Sequence, residues 1–197
     1  LVGALPVGLG IDGRDGVRSP LGDAFAAAAR ERHVPLVPGR EGMVVRAGPL
    51  ELRILSPRAG PSSGSTGADP NQRAIVAEAS VGGAGRVLLT ADAESDVLAA
   101  LDLGTIDVLK VSHHGSADPG LPALLRTLRP LVAGIEVGAR NTYGHPAAAT
   151  LSALRGVPRT VRTDLQGSVR LDYAAGRWTV APERPVPRAT VLRAGGT

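Results

Sequence analysis

The sequence contains no cysteine and very few aromatic residues, with one Trp, one Phe and two Tyr in 197 residues. Without cysteine the chain has no disulfide partner and no thiolate metal site. A site built from His and Asp alone suits Zn²⁺ or Mn²⁺. Because aromatic side chains are scarce, Leu, Val and Ala must supply most of the core packing.

Lysine and long apolar runs are also scarce. Lys110 is the only lysine, and the formal net charge of +4 rests on arginines that form no run. That charge is compatible with a polyanionic substrate but does not itself indicate one. No apolar stretch approaches the roughly 18 residues of a membrane-spanning helix, so we expect this chain itself to be soluble. The length fits one ordinary domain with a hydrophobic core.

Two of the four histidines follow a short aliphatic strand predicted at residues 106–111. His113 and His114 then lie at the carboxyl end of that strand, where ligands gather in sheets covered by helices. In an extended backbone neighbouring side chains point to opposite faces, so we expect one imidazole to bind metal and the other to contact substrate. The alternative is that both are ordinary, partly buried histidines.

Two further strands are predicted to end in polar groups. Residues 87–91 lead directly into Asp92, which is suited to bridging metal ions or, alternatively, to capping the helix expected at residues 93–101. The strand at residues 131–137 leads into the polar loop 138–146, which carries His145.

The remaining pattern predicts one domain at residues 1–181 and a disordered tail at 182–197. A helix capped by Ser19 should run to about residue 32, and residues 50–54 should form a half-exposed strand of an antiparallel pair. Gly, Ser and Pro indicate a mobile loop at 57–70. The other predicted elements are strands at 34–37, 43–45, 160–162, 168–173 and 177–180, a hairpin at 71–90 with its turn at 82–85, and helices at 118–130 and 146–154.

Several motifs occur in one order along the chain. They are Asn71 with the strand that follows it, Leu-Leu-Thr-Ala-Asp ending at Asp92, Leu-Lys-Val-Ser-His-His-Gly-Ser ending at Ser116, Asn-Thr-Tyr-Gly-His-Pro at 141–146 and Arg-Thr-Asp at 162–164. Together they resemble the metallo-β-lactamase-like C-terminal domain of the ComEC family, the bacterial DNA-uptake (competence) channel. The resemblance reaches about Val180 and implies an α/β fold, the αββα sandwich, present here as a partial copy with mixed or antiparallel sheets and flanking helices.

The resemblance also implies a role for each matching residue. Asp92 and His114 match metal ligands, and His113 and His145 match positions that orient phosphate or protonate the leaving group. The implied substrate-binding residues are Asn71, Ser116, Asn141 and Tyr143. Two Zn²⁺ or Mn²⁺ ions are expected in the complete domain, with DNA as substrate. Ala91 stands where the family usually has glycine.

The family's first metal-binding motif, His-x-His-x-Asp-His, does not occur in this sequence, which opens on Leu1 rather than Met. We therefore expect a fragment that begins after that motif and that partners an upstream transmembrane channel segment of the same protein. Through that segment the protein would be membrane-associated, on the extracytoplasmic face. With only two expected ligands, the chain alone should bind metal poorly.

Three functions remain open at this point. The leading hypothesis is a fragment of a metal-dependent phosphodiesterase or nuclease-like domain that hydrolyses DNA with a dinuclear metal centre. The second is a catalytically inactive domain that guides DNA or acts as a scaffold in the same channel. The third is a soluble metallo-β-lactamase-fold hydrolase of a small phosphodiester or lactone.

Overall fold

A computed structural model describes residues 4–13, 19–58, 69–184 and 191–193. Its twelve strands are β1 Gly10–Asp12, β2 Leu36–Pro38, β3 Val44–Ala47, β4 Leu50–Ser56, β5 Val76–Val81, β6 Ala84–Leu89, β7 Val108–Lys110, β8 Val132–Ile135, β9 Arg159–Arg162, β10 Val169–Ala174, β11 Arg177–Pro182 and β12 Val191–Arg193. The α-helices are α1 Pro20–Glu31, α2 Ser95–Leu98, α3 Leu121–Leu128, α4 Ala148–Ala153 and α5 Thr163–Gln166. Short 3₁₀ turns are formed by Pro70–Arg73, Ser112–Gly115 and Leu154–Gly156.

The central sheet has seven strands in the order β3-β4-β5-β6-β7-β8-β9. Strands β3 to β6 are antiparallel, and β6 to β9 are parallel. The predicted hairpin is confirmed as β5–β6, with Gly82 and Gly83 at positive φ in its turn. The half-exposed antiparallel strand is confirmed as β4.

The two faces of the central sheet are covered differently. One face packs aliphatic residues against α2, α3 and the segment after α4, in a core that includes Leu88, Leu109 and Leu128. The other face packs Val108, Val132 and Val161 against Trp178 and Val180 of β11. Strand β11 lies between β10 and β12 in a second, three-stranded sheet. The described chain is therefore layered as helices, central sheet and second sheet.

The amino-terminal part forms a smaller β-α-β unit in which β1 and β2 pair in parallel. The predicted cap of α1 is confirmed, because the Ser19 hydroxyl accepts a hydrogen bond from the Gly22 amide at 3.0 Å. None of the helices in the described residues is long and apolar enough to cross a membrane.

Two local predictions were wrong. Asn71 lies in a 3₁₀ turn rather than a strand, because Asp69 caps Pro70 and its neighbours by accepting from the Asn71 amide. The helix after Asp92 is one turn long and its N-cap residue is Glu94, so Asp92 does not cap it. Within the predicted disordered tail, Val191–Arg193 pair with β11, while residues 185–190 and 194–197 lie outside the described residues. Most of the predicted mobile loop, residues 59–68, also lies outside them.

The architecture confirms a mixed α/β fold with a central mixed sheet and flanking helices. The more specific assignment, a metallo-β-lactamase-like αββα sandwich, stays a prediction.

Candidate active site at the carboxyl edge of the parallel strands

Strands β6, β7 and β8 run in the same direction, so their carboxyl ends meet at one edge of the sheet. Asp92 follows β6, the His113–His114 pair follows β7, and the loop with His145 follows β8. The structure therefore brings these four predicted residues to one edge, as the parallel order requires.

The backbone at the histidine pair is not extended, which corrects our sequence prediction. His113 and His114 have φ values of 46° and 54°, in the left-handed region that favours glycine. Each such residue costs about 1–2 kcal/mol relative to ordinary backbone. Of six non-glycine residues with positive φ in the described chain, three lie at this edge, the third being Ala91. Strain of this kind concentrates at functional sites.

The two imidazoles nevertheless contact different partners, and the roles predicted for them stay predictions. The Nδ1 atom of His114 lies 2.7 Å from the Glu136 carbonyl oxygen, which can only accept, so Nδ1 carries the proton. In the neutral imidazole the other ring nitrogen, Nε2, then has a free lone pair, and it lies 3.7 Å from Asp92 Oδ1. In a typical metal-ligating histidine one ring nitrogen donates to a carbonyl or carboxylate, as Nδ1 does here, and the other nitrogen binds the metal.

His113 instead forms a hydrogen bond through Nδ1 to Glu94 Oε1, at 3.1 Å. The same Glu94 oxygen accepts from the hydroxyl of Ser116, which is buried. Glu94 therefore holds His113 in one orientation, a role that we did not predict. Glu94 stands between Asp92 and Asp96 in the sequence, and no motif distinguished it from these neighbouring acids. The predicted contact of Ser116 with substrate stays a prediction, since its hydroxyl faces Glu94 here.

The turn before Asp92 is fixed by hydrogen bonds to the backbone carbonyl of Ala91. Ala91 has φ 49°, and its carbonyl oxygen accepts hydrogen bonds from Lys110 Nζ at 2.8 Å and from the His113 amide at 3.1 Å. Burial lowers the pKa of the Lys110 ammonium, while the nearby carboxylates of Glu136 and Asp92 oppose that shift. The turn after β6 is thus tied directly to the strand and turn of β7.

The loop after β8 is braced from within by Asn141. Its amide nitrogen donates to the carbonyls of Gly138 at 3.1 Å and His145 at 2.9 Å, and its amide oxygen accepts from the His145 backbone N–H at 3.2 Å. Tyr143 projects from this loop with 82% of its surface exposed. Its ring lies nearly parallel to the His145 imidazole, and that imidazole meets His113 edge-on at 5.7 Å between ring centres.

Gly115 lets the histidine turn and this loop approach each other. It has φ +86°, and a Cβ placed there would lie 2.7 Å from Cβ of Pro146. The Ala147 amide donates to the Gly115 carbonyl at 2.8 Å, which fixes the contact. Only glycine satisfies both the backbone angle and the space.

Two small pockets open on either side of the Asp92–His114 pair. One, of about 120 Å³, is lined in part by Asn71, Asp92, Glu94 and His113. The other, of about 350 Å³, is lined by His114, Glu136, Val137, Gly138, Asn141, Tyr143 and His145. Every predicted site residue except Ser116 therefore lines one of the two pockets.

The residues present fit part of a metal site. Two ligands of one tetrahedral zinc ion, each about 2.1 Å from the metal, lie about 3.4 Å apart, close to the 3.7 Å between Asp92 and His114. Among the described residues, however, no group of three or more His, Cys, Asp or Glu side chains is arranged to hold an ion. A complete site would need at least one further ligand.

The chain is similar to two longer proteins. It is 31% identical over 172 residues to ComE operon protein 3 of Bacillus subtilis, a similarity that covers 84% of this chain and 22% of that protein. It is 33% identical over 138 residues to Recombination protein 2 of Haemophilus influenzae, covering 68% of this chain and 17% of that protein. The chain thus spans about a fifth of the length of these relatives. No family model matches the sequence.

Both similarities support the relationship to a competence DNA-uptake family that the motifs indicate.

Proposed function

We propose that this chain forms part of a metallo-β-lactamase-like phosphodiesterase domain of a competence DNA-uptake protein, with DNA as its substrate. The observation that carries the proposal is the Asp92–His114 pair, 3.7 Å apart at the carboxyl edge of the parallel strands. The similarity to the two relatives supports the DNA-uptake part of the proposal.

In this proposal Asp92 and His114 are two of the ligands of a Zn²⁺ or Mn²⁺ centre, and the remaining ligands lie outside the described residues. When bound, the metal would supply an activated water and neutralise charge on the phosphate. His114 is oriented for the role, because the contact of Nδ1 with the Glu136 carbonyl oxygen leaves Nε2 as the nitrogen that faces Asp92.

The other residues of the edge act on the substrate. Glu94 orients His113, whose free ring nitrogen then faces a phosphate oxygen or the leaving group. His145 lies beside His113 and extends the same surface toward the larger pocket. Asn141 has its amide engaged inside the loop, so its contribution to substrate binding is to keep the loop in shape.

A second candidate function is a DNA-guiding domain without hydrolysis. It is favoured by one observation, that the described residues offer two metal donors where a catalytic zinc site uses at least three protein ligands. The strained turn at Ala91, where the family usually has glycine, is compatible with this DNA-guiding function.

The test is made in the longest natural protein that contains this chain. Asp92→Ala should abolish both metal binding and DNA hydrolysis, because it removes a ligand. His145→Ala should lower turnover by about 10²-fold or more and leave the metal content unchanged. Metal analysis beside a nuclease assay measures both effects. Full metal content without hydrolysis in the unsubstituted protein would favour the DNA-guiding function, and equal metal loss in the two variants would make His145 a ligand.

A further inference from the structure

A further groove lies at the opposite edge of the central sheet from the candidate site. It has a volume of about 430 Å³ and opens between α3 and the end of α4, beside the amino ends of β8 and β9. Its apolar surface comes from Leu125, Leu131, Ala153 and Val157. Because β8 runs from this edge toward the candidate site, an occupant of the groove would not contact the residues at the carboxyl edge.

The walls of the groove are preformed. Three of the residues that line it are Pro122, Pro130 and Pro158, whose rings fix φ. The turn that ends α3 is fixed as well, because Arg129 takes left-handed backbone with φ 46° and its amide donates to the Leu125 carbonyl at 2.9 Å. An occupant can therefore bind without first ordering the groove.

The charge at the groove has one sign. Among the described residues that line it, Arg126 and Arg129 are charged and none is acidic. Both arginines are exposed, and within the described part of the chain neither forms an ion pair. They stand three residues apart at the end of α3, so their side chains are neighbours. The groove is thus complementary to an apolar ligand that carries acidic groups.

The shape and lining favour a protein segment over other occupants. A small molecule needs placed polar groups to fix its orientation, whereas the described lining side chains are apolar apart from the two exposed arginines. A membrane surface is flat on this scale, so its headgroups would contact the arginines without filling the space between the helices. Residues 59–68 and 185–197 of this chain contain no acidic residue, so neither segment matches the arginines.

We propose that this groove docks an acidic amphipathic helix from a protein segment outside this chain. Two apolar side chains four residues apart on that helix fill the space between α3 and α4, as in other complexes in which a helix lies in a groove. Acidic side chains beside them pair with Arg126 and Arg129. The proposal involves neither metal nor DNA, so it stands or fails separately from the proposed function.

The experiment selects ligands from a displayed library of random peptides of about 15 residues, roughly four helical turns. Every lining residue lies between positions 122 and 158, so the chain itself is the target. The enriched peptides should carry apolar residues four positions apart and at least two acidic residues. A labelled synthetic copy of the most enriched peptide is then titrated with the chain and its variants by fluorescence anisotropy.

The double variant Arg126→Glu with Arg129→Glu should weaken binding of this peptide by about 10-fold or more, because like charges then face each other. Arg177→Glu is the matched control, since Arg177 is exposed on β11, on the other side of the central sheet. It should change binding by less than about 2-fold, because salt screens charges that lie far apart.

Ala153→Trp tests the apolar part, because the larger side chain fills the groove and should prevent peptide binding. Melting temperatures verify that each variant folds, and the double arginine variant keeps the test decisive if Ala153→Trp does not. The absence of enriched peptides, enriched peptides without acidic residues, or binding that survives the double arginine variant would overturn the proposal. Self-association of the chain that Ala153→Trp abolishes, or binding to phosphatidylglycerol vesicles that the double arginine variant abolishes, would overturn it in favour of a second copy or a membrane.

Discussion

The two halves of the central sheet treat polar and strained residues differently. In the antiparallel half, the positive-φ residues of the turns are glycines, and charged side chains pair with each other, as in the two-pronged contact of Arg86 with Glu78 at 3.0 and 2.6 Å. At the carboxyl edge of the parallel half, Ala91, His113 and His114 take left-handed backbone, and their neighbours face open pockets. Among the described residues, strained non-glycine backbone thus occurs at the candidate site and not in the turns of the antiparallel half.

The largest expected difference in stability between the two halves is for substitutions at two glycines, Gly82 and Gly115. Gly82→Ala in the antiparallel hairpin should lower the free energy of unfolding by roughly 0.5–1 kcal/mol. The space around it is open, and the backbone penalty of about 1–2 kcal/mol at φ +58° is partly offset by about 0.5–1 kcal/mol because alanine has less freedom in the unfolded chain. Gly115→Ala should lower it by roughly 1.5–4 kcal/mol, because the clash with Pro146 adds about 1–3 kcal/mol of overpacking to the same net backbone effect. Urea unfolding of both variants measures the difference, and equal losses would mean that the histidine turn and the loop are not tightly joined.

A smaller difference in stability is expected between two Arg–Asp ion pairs whose members lie two residues apart in the sequence. Arg162 contacts Asp164 at 3.1 and 2.6 Å with the carboxylate 12% exposed, whereas Arg170 meets Asp172 at 2.9 Å with that carboxylate 47% exposed. Asp164→Asn should cost about 1.5–3 kcal/mol at pH 7, and Asp172→Asn less than about 1 kcal/mol.

The first of these losses should depend on pH. The hydrogen bond from Arg162 lowers the pKa of Asp164 in the folded chain below the unfolded value of about 3.9. The ionised carboxylate therefore stabilises the fold above about pH 4, and this contribution is lost as the pH falls through the folded pKa. Melting temperatures of the chain and of Asp164→Asn should converge at low pH, and a gap independent of pH would contradict the ion-pair assignment.

Glycine introduced at two strained alanines should have the smallest effect and the opposite sign. Ala91 at the site and Ala175 in the β10–β11 turn both have φ 49° and both are exposed. Each substitution relieves about 1–2 kcal/mol of strain and loses about 0.5–1 kcal/mol to glycine's greater unfolded freedom. Both variants should therefore be stabilised by roughly 0.5–1 kcal/mol in thermal unfolding. Destabilisation by Ala91→Gly alone would show that the Asp92 turn depends on the alanine methyl.

The sequence could predict the features that depend on local residue types. Ser19 before a proline predicted the start of α1, and the Gly82-Gly83 pair predicted the β5–β6 turn, because each residue type favours that local geometry. The sequence predicted that β6, β7 and β8 each lead into polar residues. That these ends share one edge follows from the parallel pairing seen in the structure.

The details of the site depended on tertiary contacts instead. Histidine takes left-handed backbone more often than most residues, but two consecutive residues in this conformation are not predictable from the sequence. At His113 and His114 the turn contacts Ala91 and Glu136. Glu94 became recognisable only when folding placed it beside His113 and Ser116, which lie about twenty residues further along the chain. Residues whose role depends on distant partners leave no local signal to detect.

In the function we propose, His114 holds metal together with Asp92, and His113 acts on substrate. The most direct measurement is the metal content of His113→Ala and His114→Ala in the longest natural protein that contains this chain, with melting temperatures to verify folding. We expect His114→Ala to lose one ion, whereas His113→Ala should keep full metal content and slow DNA hydrolysis by roughly 10²- to 10⁴-fold. A His113→Ala protein without metal, beside a His114→Ala protein that retains it, would contradict these roles.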